Sequence, residues 1–403
     1  MHSARPSPAS KVASAPSAAV DPRAVREAAA RSGVTLHDGP YGTQTRVDAG
    51  APAAASLAAG ALAWLAGLSV LRVTGDDASR FLHSQTTNDL LQQPADTARW
   101  HGYCSPKGRL LATMLVWRDG EAIRLLLPDG VAEPTRARLA MFVLRSKVRI
   151  ADESGAYAVF GLIGAAAHEA LDRLGLRAPA PMQVVAAAAP AANAERGASA
   201  DAGATGGERS PLTVVGLPAL PAQALHGATA PVPRWLLVVP VESAATAWDT
   251  LRASLVPVGS ATWRWTDVRT GIATIVPSTR EQFVPQMLNL EADAIGAVSF
   301  TKGCYPGQEI VARSHYLGKT KRRAFVARIA GAAQGGAREP APGSDVVDAG
   351  GQPVGKVVVA APSPHHAIDV LYEAQVAAAQ QGALAADGQA LQPLALPYSL
   401  PAE

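Results

Sequence analysis

The chain has 403 residues, 48% of them hydrophobic, 17% charged and 5% aromatic, which suits two or three globular domains with ample apolar material for their cores. A formal charge of +3 is too mild to demand a nucleic-acid partner and directs attention to local clusters instead. Two cysteines 200 positions apart, Cys104 and Cys304, exclude a disulfide framework, a CxxC pair and a permanent four-cysteine cluster site, and they fit a reducing compartment.

The first 36 residues are rich in Ala, Ser and Pro and carry too little apolar surface to offset the entropy of ordering, so a disordered extension over 1–45 is expected. They lack the apolar core of a secretory signal. Asp21 and Glu27 favour a bacterial extension and a cytoplasmic protein over an organellar transit peptide, which leaves the mitochondrial matrix as the lesser alternative. Residues 49–71 are uncharged over 23 positions, but they are mostly Ala, Gly and Ser and run into a strand pattern, so they read as a buried helix and a strand with no membrane span.

Residues 68–73 then read as a strand, Gly75 as a turn, and Asp76 or Asp77 as the N-cap of a helix carrying Phe81 and Leu82. Two apolar strands at 110–117 and 122–127 flank Asp119-Gly120, a dipeptide suited to a tight hairpin. A helix near 133–144 and a strand near 147–150 close a first αβ unit over 46–155. A second, over 156–323, has a helix around 168–174, a strand at 235–239 and a helix at 242–255, with a flexible surface insertion at 186–211. From 324 to 403, short β-like pieces at 324–329, 345–347, 354–359 and 394–398 between Gly and Pro clusters predict a small β-barrel. The fold class is α+β, because strands and helices alternate without a strict βαβ repeat.

The chemistry concentrates in Phe300-Thr-Lys302-Gly303-Cys304-Tyr305-Pro306-Gly307-Gln308-Glu309 and the run to Arg323. Pro306 suits the first turn of a helix reaching about Arg313, which would set Cys304 and Tyr305 by exposed backbone N–H groups. A thiol there, two residues from Lys302, should ionise more readily than a free cysteine; the alternative is a small buried hydrophobe. Residues 302–323 hold six Lys or Arg against one Glu, a local +5 that could meet a glutamyl tail, a phosphate or an RNA backbone, or be a solvated loop. Nine scattered His, the pair His365-His366 included, give no metal-ligand spacing, and there is no Walker or Rossmann glycine loop.

Lys-Gly-Cys-Tyr-x-Gly-Gln-Glu, preceded by Phe283-Val-Pro-Gln286-Met-Leu-Asn289-Leu290, resembles the signature of the YgfZ family of folate-binding proteins, relatives of the glycine-cleavage T protein. Three further matches extend the likeness over about residues 60–403: the strand-turn-helix with Gly75, Asp77, Phe81 and Leu82; Cys104-Ser-Pro-Lys107-Gly108-Arg109; and Leu396-Pro397-Tyr398-Ser399-Leu400. The resemblance implies a three-part aminomethyltransferase-like ring around a tetrahydrofolate site. It implies a role in assembly or repair of iron–sulfur proteins, with iron–sulfur enzymes, assembly proteins and tRNA-modifying enzymes as partners, and Cys304 with Lys302 as the working pair.

Trp263 holds the family spacing of eight residues before a Gly, here Gly271, and is the folate-stacking candidate, with Trp265 its competitor. Gly303, Tyr305, Gly307, Gln308, Glu309 and Arg313 are carried over as further cofactor-binding residues. A second family tryptophan falls near Leu68 here, and the transferases' Asp pair after the glycine equivalent to Gly108 is missing from Arg109-Leu110-Leu111-Ala112-Thr113, which disfavours aminomethyl transfer. The two alternatives are a folate-dependent one-carbon transferase and a tRNA-binding module.

Overall fold

The computed structural model describes residues 23–47, 54–188, 211–225, 227–316, 320–331 and 336–400. Two sheets face each other across a shared core, helices cover their outer faces, and a nearly closed seven-stranded barrel-like sheet closes the third side.

The first sheet orders Ala98–Cys104, Leu110–Asp119, Ala122–Pro128, Leu68–Thr74 and Arg149–Asp152, all antiparallel. Its central strands read as continuous apolar runs because both faces are covered. Met114 and Val116 pack toward the helices Ala78–Gln85 and Asp129–Met141, while the alternate residues Leu115 and Trp117 meet the second sheet. The expected hairpin is present, with Gly120 at φ +57 supplying the left-handed residue. Asp77 is the N-cap residue of the helix Ala78–Gln85, but its side chain caps nothing there; Oδ2 accepts the Lys147 N–H at 2.8 Å.

The second sheet orders Val184–Ala187, Leu212–Leu220, Val232–Pro240, Tyr157–Ile163, Ala61–Trp64 and Val256–Val258. Ala61–Trp64 corrects the division at 155: this strand pairs with Tyr157–Ile163, so the chain enters the second sheet before it builds the first. Of the buried helix expected in 49–71, residues 49–53 lie outside the described residues and Ala54–Ala59 is helical, ending before Gly60 and the strand; among the described residues no helix is long and apolar enough to cross a membrane. Ala186 and Ala187 belong to a strand, while 189–210 of the expected insertion lie outside the described residues.

The expected disorder over 1–45 is also corrected for its second half. Residues 23–47 form a helix, Arg23–Ala30, and a hairpin, Val34–Gly39 with Gly42–Val47. Alanine loses no side-chain entropy in a helix, and Val25, Ala28 and Ala29 make one apolar face that buries in the same core as Trp248 and Leu251.

The barrel strands follow the order Gln389–Ala390, Ala385–Ala386, Asp345–Val347, Pro353–Ser363, Ala367–Gln375, Arg322–Ile329 and Gln392–Leu394. Ala367–Gln375 sits centrally and was not among the expected strands. The piece expected at 394–398 is a strand only to Leu394, after which Pro397 and Tyr398 leave the sheet.

Candidate functional site

The segments singled out in the sequence converge where the two αβ units meet the barrel. The turn Ser105 to Gly108 and the turn at Gly307 dock backbone to backbone: a Cβ on Gly307, at φ +81, would lie 2.4 Å from Ser105 O and 2.6 Å from Gly108 N. Leu110 bonds through its N–H to Phe283 O and through its carbonyl to Glu281 N, each at 2.8 Å, and Arg109 donates to Gln282 O. Gln286 Nε2 donates to Val311 O at 2.6 Å, and Asn289 Nδ2 donates to Ala324 O at 2.9 Å. Tyr398 lies against Gly271, where a Cβ would come within 2.6 Å of its ring, and donates to Gly271 O at 3.2 Å.

The helix after the motif begins at Gln308, because Gly307 takes the left-handed conformation; Pro306 therefore lies in the preceding turn and is not a helix residue. Cys304 is exposed. Lys302, two residues before it, is 6% exposed, and its ammonium donates to His83 O and Thr86 O at the end of the helix Ala78–Gln85, where the dipole is negative. Its Nζ lies 4.9 Å from the Tyr305 ring centroid, and burial pulls its pKa down to about 8. Lys302 thus pins the motif loop to the first αβ unit. Cys104 packs in the sheet with Leu110 and Phe283, and burial pushes its thiol up to about 12.

Behind Lys302, His101 is fully buried with Nδ1 2.9 Å from Thr86 Oγ1; burial, then the Lys302 and Arg99 charges, push its pKa down from 6.5 to about 3. A histidine depressed this way stabilises the fold above pH 6.5, and that contribution is lost as the pH falls toward 3, since the unfolded chain takes up the proton first. The expected loss from this residue is about 2 kcal/mol between pH 7 and 5. His101→Gln should flatten the pH dependence of the unfolding free energy from urea titration by that amount; an unchanged slope would count against the assignment.

A cavity of about 120 Å³ opens at the centre, lined from both sheets, the barrel and the N-terminal hairpin. Leu65, Leu68, Leu126, Leu217, Leu236 and Val359 make it largely apolar. Trp263 lines it from the helix Ser260–Thr270, and its ring packs against Gly161, where a Cβ would sit 2.3 Å from it. Trp265, on another face of that helix, is fully buried and donates Nε1 to Asp369 Oδ2 at 2.8 Å, so the two tryptophans separate into a cavity residue and a core residue. Leu68, the position of the second family tryptophan, does line the cavity, and so does Trp100, whose buried Nε1 has no partner among the described residues.

Sequence reasoning missed three contributors. Asp267, one turn after Trp263, is the only carboxylate among the lining residues; its Oδ1 accepts from Arg234 Nη1 at 2.8 Å, and burial raises its pKa against the pull of that guanidinium. Arg234, wholly buried, also donates to Thr266 Oγ1, to Thr270 Oγ1 at 3.1 Å and to Pro218 O at 3.1 Å, and its Cζ sits 5.2 Å from the Trp263 ring centroid. The hairpin brings Tyr41, Thr43 and Gln44; Arg264 stacks on Tyr41 at 3.9 Å and donates to Gln44 Oε1 at 2.9 Å. The i, i+4 spacing of Trp263 and Asp267 was the available signal. Nothing local pointed to the other two.

Of the residues carried over for a cofactor, Trp263 lines this cavity; Gly303, Tyr305, Gly307, Gln308, Glu309 and Arg313 do not. Tyr305 is buried and its hydroxyl pKa raised by that burial, Gly307 is committed to the docked turns, and Gly303, Glu309 and Arg313 are exposed. The basic run is also partly spent internally. Lys302 holds carbonyls, Arg322 pairs with Glu373 and Arg323 with Glu291, while Lys319 lies outside the described residues. Among the described residues no group of three His, Cys, Asp or Glu side chains is placed to hold a metal ion.

No protein-family model matches the chain. The protein named tRNA-modifying protein YgfZ of Shigella sonnei (strain Ss046) is 27% identical over 274 residues, 68% of this chain and 72% of that one. That of Escherichia coli (strain K12) is 28% identical over 274 residues, with the same coverage. The chain is similar to the YgfZ proteins over about two thirds of its length. Its fold is that of the glycine cleavage system aminomethyltransferase T of Bartonella henselae, with a TM-score of 0.68 at 15% identity over 93% of this chain and 97% of that one. The likeness to YgfZ proteins was carried in the sequence by short separate segments, and four of them, around Gly108, Asn289, Cys304 and Tyr398, belong to the one junction described above.

Proposed function

We propose that the chain is a tetrahydrofolate-binding factor that supports assembly or repair of iron–sulfur clusters in client enzymes, tRNA-modifying enzymes among them. Trp263 is the folate platform and Cys304 the working thiol. The observation that carries the reading is the central, largely apolar cavity with a rigidly backed indole on its wall. A flat ring of pterin type gains from stacking on an indole in such surroundings, and the few polar groups fix its orientation. The fit rests on residues of all three parts of the fold, so a bound folate would hold them together. Cys304 faces solvent and is not among the lining residues, which suits a thiol offered to a partner protein while folate sits inside. The name of the YgfZ relatives, tRNA-modifying protein, agrees with clients that act on tRNA.

In a bacterium whose own YgfZ gene is deleted, the wild-type chain should restore iron–sulfur enzyme activity and the thiolated-nucleoside content of tRNA. Cys304→Ala should fold, bind tetrahydrofolate and restore neither. Restoration by Cys304→Ala equal to wild type would remove the thiol from the account.

A further inference from the structure

The helix Ser260–Thr270 presents two chemically different groups, four residues apart, to the same cavity: the Trp263 indole and the Asp267 carboxylate. Arg234 fixes both, with Nη1 2.8 Å from Asp267 Oδ1 and Cζ 5.2 Å from the ring centroid of Trp263. Asp267 Oδ2 has no hydrogen-bond donor among the described residues, although the side chain is only 17% exposed. An acceptor with no protein donor on the wall of a largely apolar cavity is left to water, and a ligand N–H is the group that would take that water's place.

We propose that Asp267 reads the head of the ligand: its free oxygen accepts from the N–H donors of a heterocycle stacked on Trp263, so the pterin end of a folate enters here and the benzoylglutamate end points away. The inference rests on the folate reading above. It follows from charge and donor chemistry together. A pterin carries an exocyclic 2-amino group and a ring N–H on one edge, whereas the glutamyl tail brings carboxylates that Asp267 repels in a poorly solvated site. Burial disfavours the charged carboxylate despite Arg234, and a ligand N–H bonded to it would favour the charged form again. Arg234 is the positioning residue of the pair. Its guanidinium holds Oδ1 and thereby leaves Oδ2 for the ligand.

The test is anaerobic calorimetric titration of the full chain with three probes: tetrahydrofolate, its 2-desamino-2-methyl analogue, and p-aminobenzoylglutamate. Wild type should bind the desamino analogue at least about tenfold more weakly than tetrahydrofolate and give no measurable heat with p-aminobenzoylglutamate. Asp267→Asn should lose about tenfold for tetrahydrofolate, and its preference between the two pteridines should fall below about threefold. Equal binding of both pteridines by wild type, or an undiminished preference in Asp267→Asn, would overturn the role of Asp267 while the folate reading stood. No binding of tetrahydrofolate by wild type would remove the folate reading and this inference with it. Should Asp267→Asn fail to fold, the three probes on wild type decide by themselves.

Discussion

Arg234→Ala should lower the unfolding free energy by roughly 3–5 kcal/mol, the cost of stripping one partner from a buried ion pair. The side chain is 0% exposed and spends its donors on Asp267, Thr266, Thr270 and Pro218, so truncation strands a carboxylate and a carbonyl in the interior. Arg234→Lys should rescue little, because one ammonium cannot reproduce a planar fork that reaches two hydroxyls, a carboxylate and a carbonyl. The double variant Arg234→Met with Asp267→Leu should recover part of the loss, since it removes both charges and leaves an apolar pair. Urea unfolding followed by circular dichroism measures all three. A drop under about 1 kcal/mol for Arg234→Ala would mean that the helix bearing Trp263 is held by something else.

Gly307→Ala should cost about 3 kcal/mol or more, and Gly303→Ala, four positions earlier in the same motif, should be tolerated within about 1 kcal/mol. The contrast is geometric. Gly307 has φ +81, and a Cβ there would press on backbone atoms of Ser105 and Gly108, which can yield only by parting the two turns. Gly303 has an ordinary φ, and the nearest atom to its added Cβ is His83 Nε2 at 3.9 Å. Thermal and urea unfolding of the two variants separates them. Comparable stability would mean that the docked turns are not a source of rigidity, and a stable Gly303→Ala that fails in cells would point to partner contact at that residue.

How much of this was legible from the sequence depended on how local the physics is. The strand at Leu68–Thr74, the hairpin at Gly120 and the helix Val241–Arg252 follow from patterning and turn chemistry within a dozen residues. The N-terminal helix and hairpin were lost because an alanine-rich segment resembles a disordered one until Trp248 and its neighbours supply the surface that buries it. Ala367–Gln375 escaped because nearly every residue in it is buried, which erases the period-two alternation of a half-exposed strand. Lys302 and Arg323 looked like free cations, since their acceptors, the His83 carbonyl and Glu291, lie 219 and 32 positions away. Trp263 was singled out by likeness to a family stretch, and it lies on the cavity wall. The Arg234 that backs it belongs to a strand 29 positions earlier and carries no local sign of that role.

Whether the Trp263 cavity holds a folate is decided by anaerobic calorimetric titration of tetrahydrofolate into wild type and Trp263→Ala. Wild type should show a single site, and the variant, with an unchanged circular dichroism spectrum, should lose about 1–3 kcal/mol of binding free energy, about five- to 150-fold in affinity. Equal affinity in both proteins, or no binding by wild type, would contradict it.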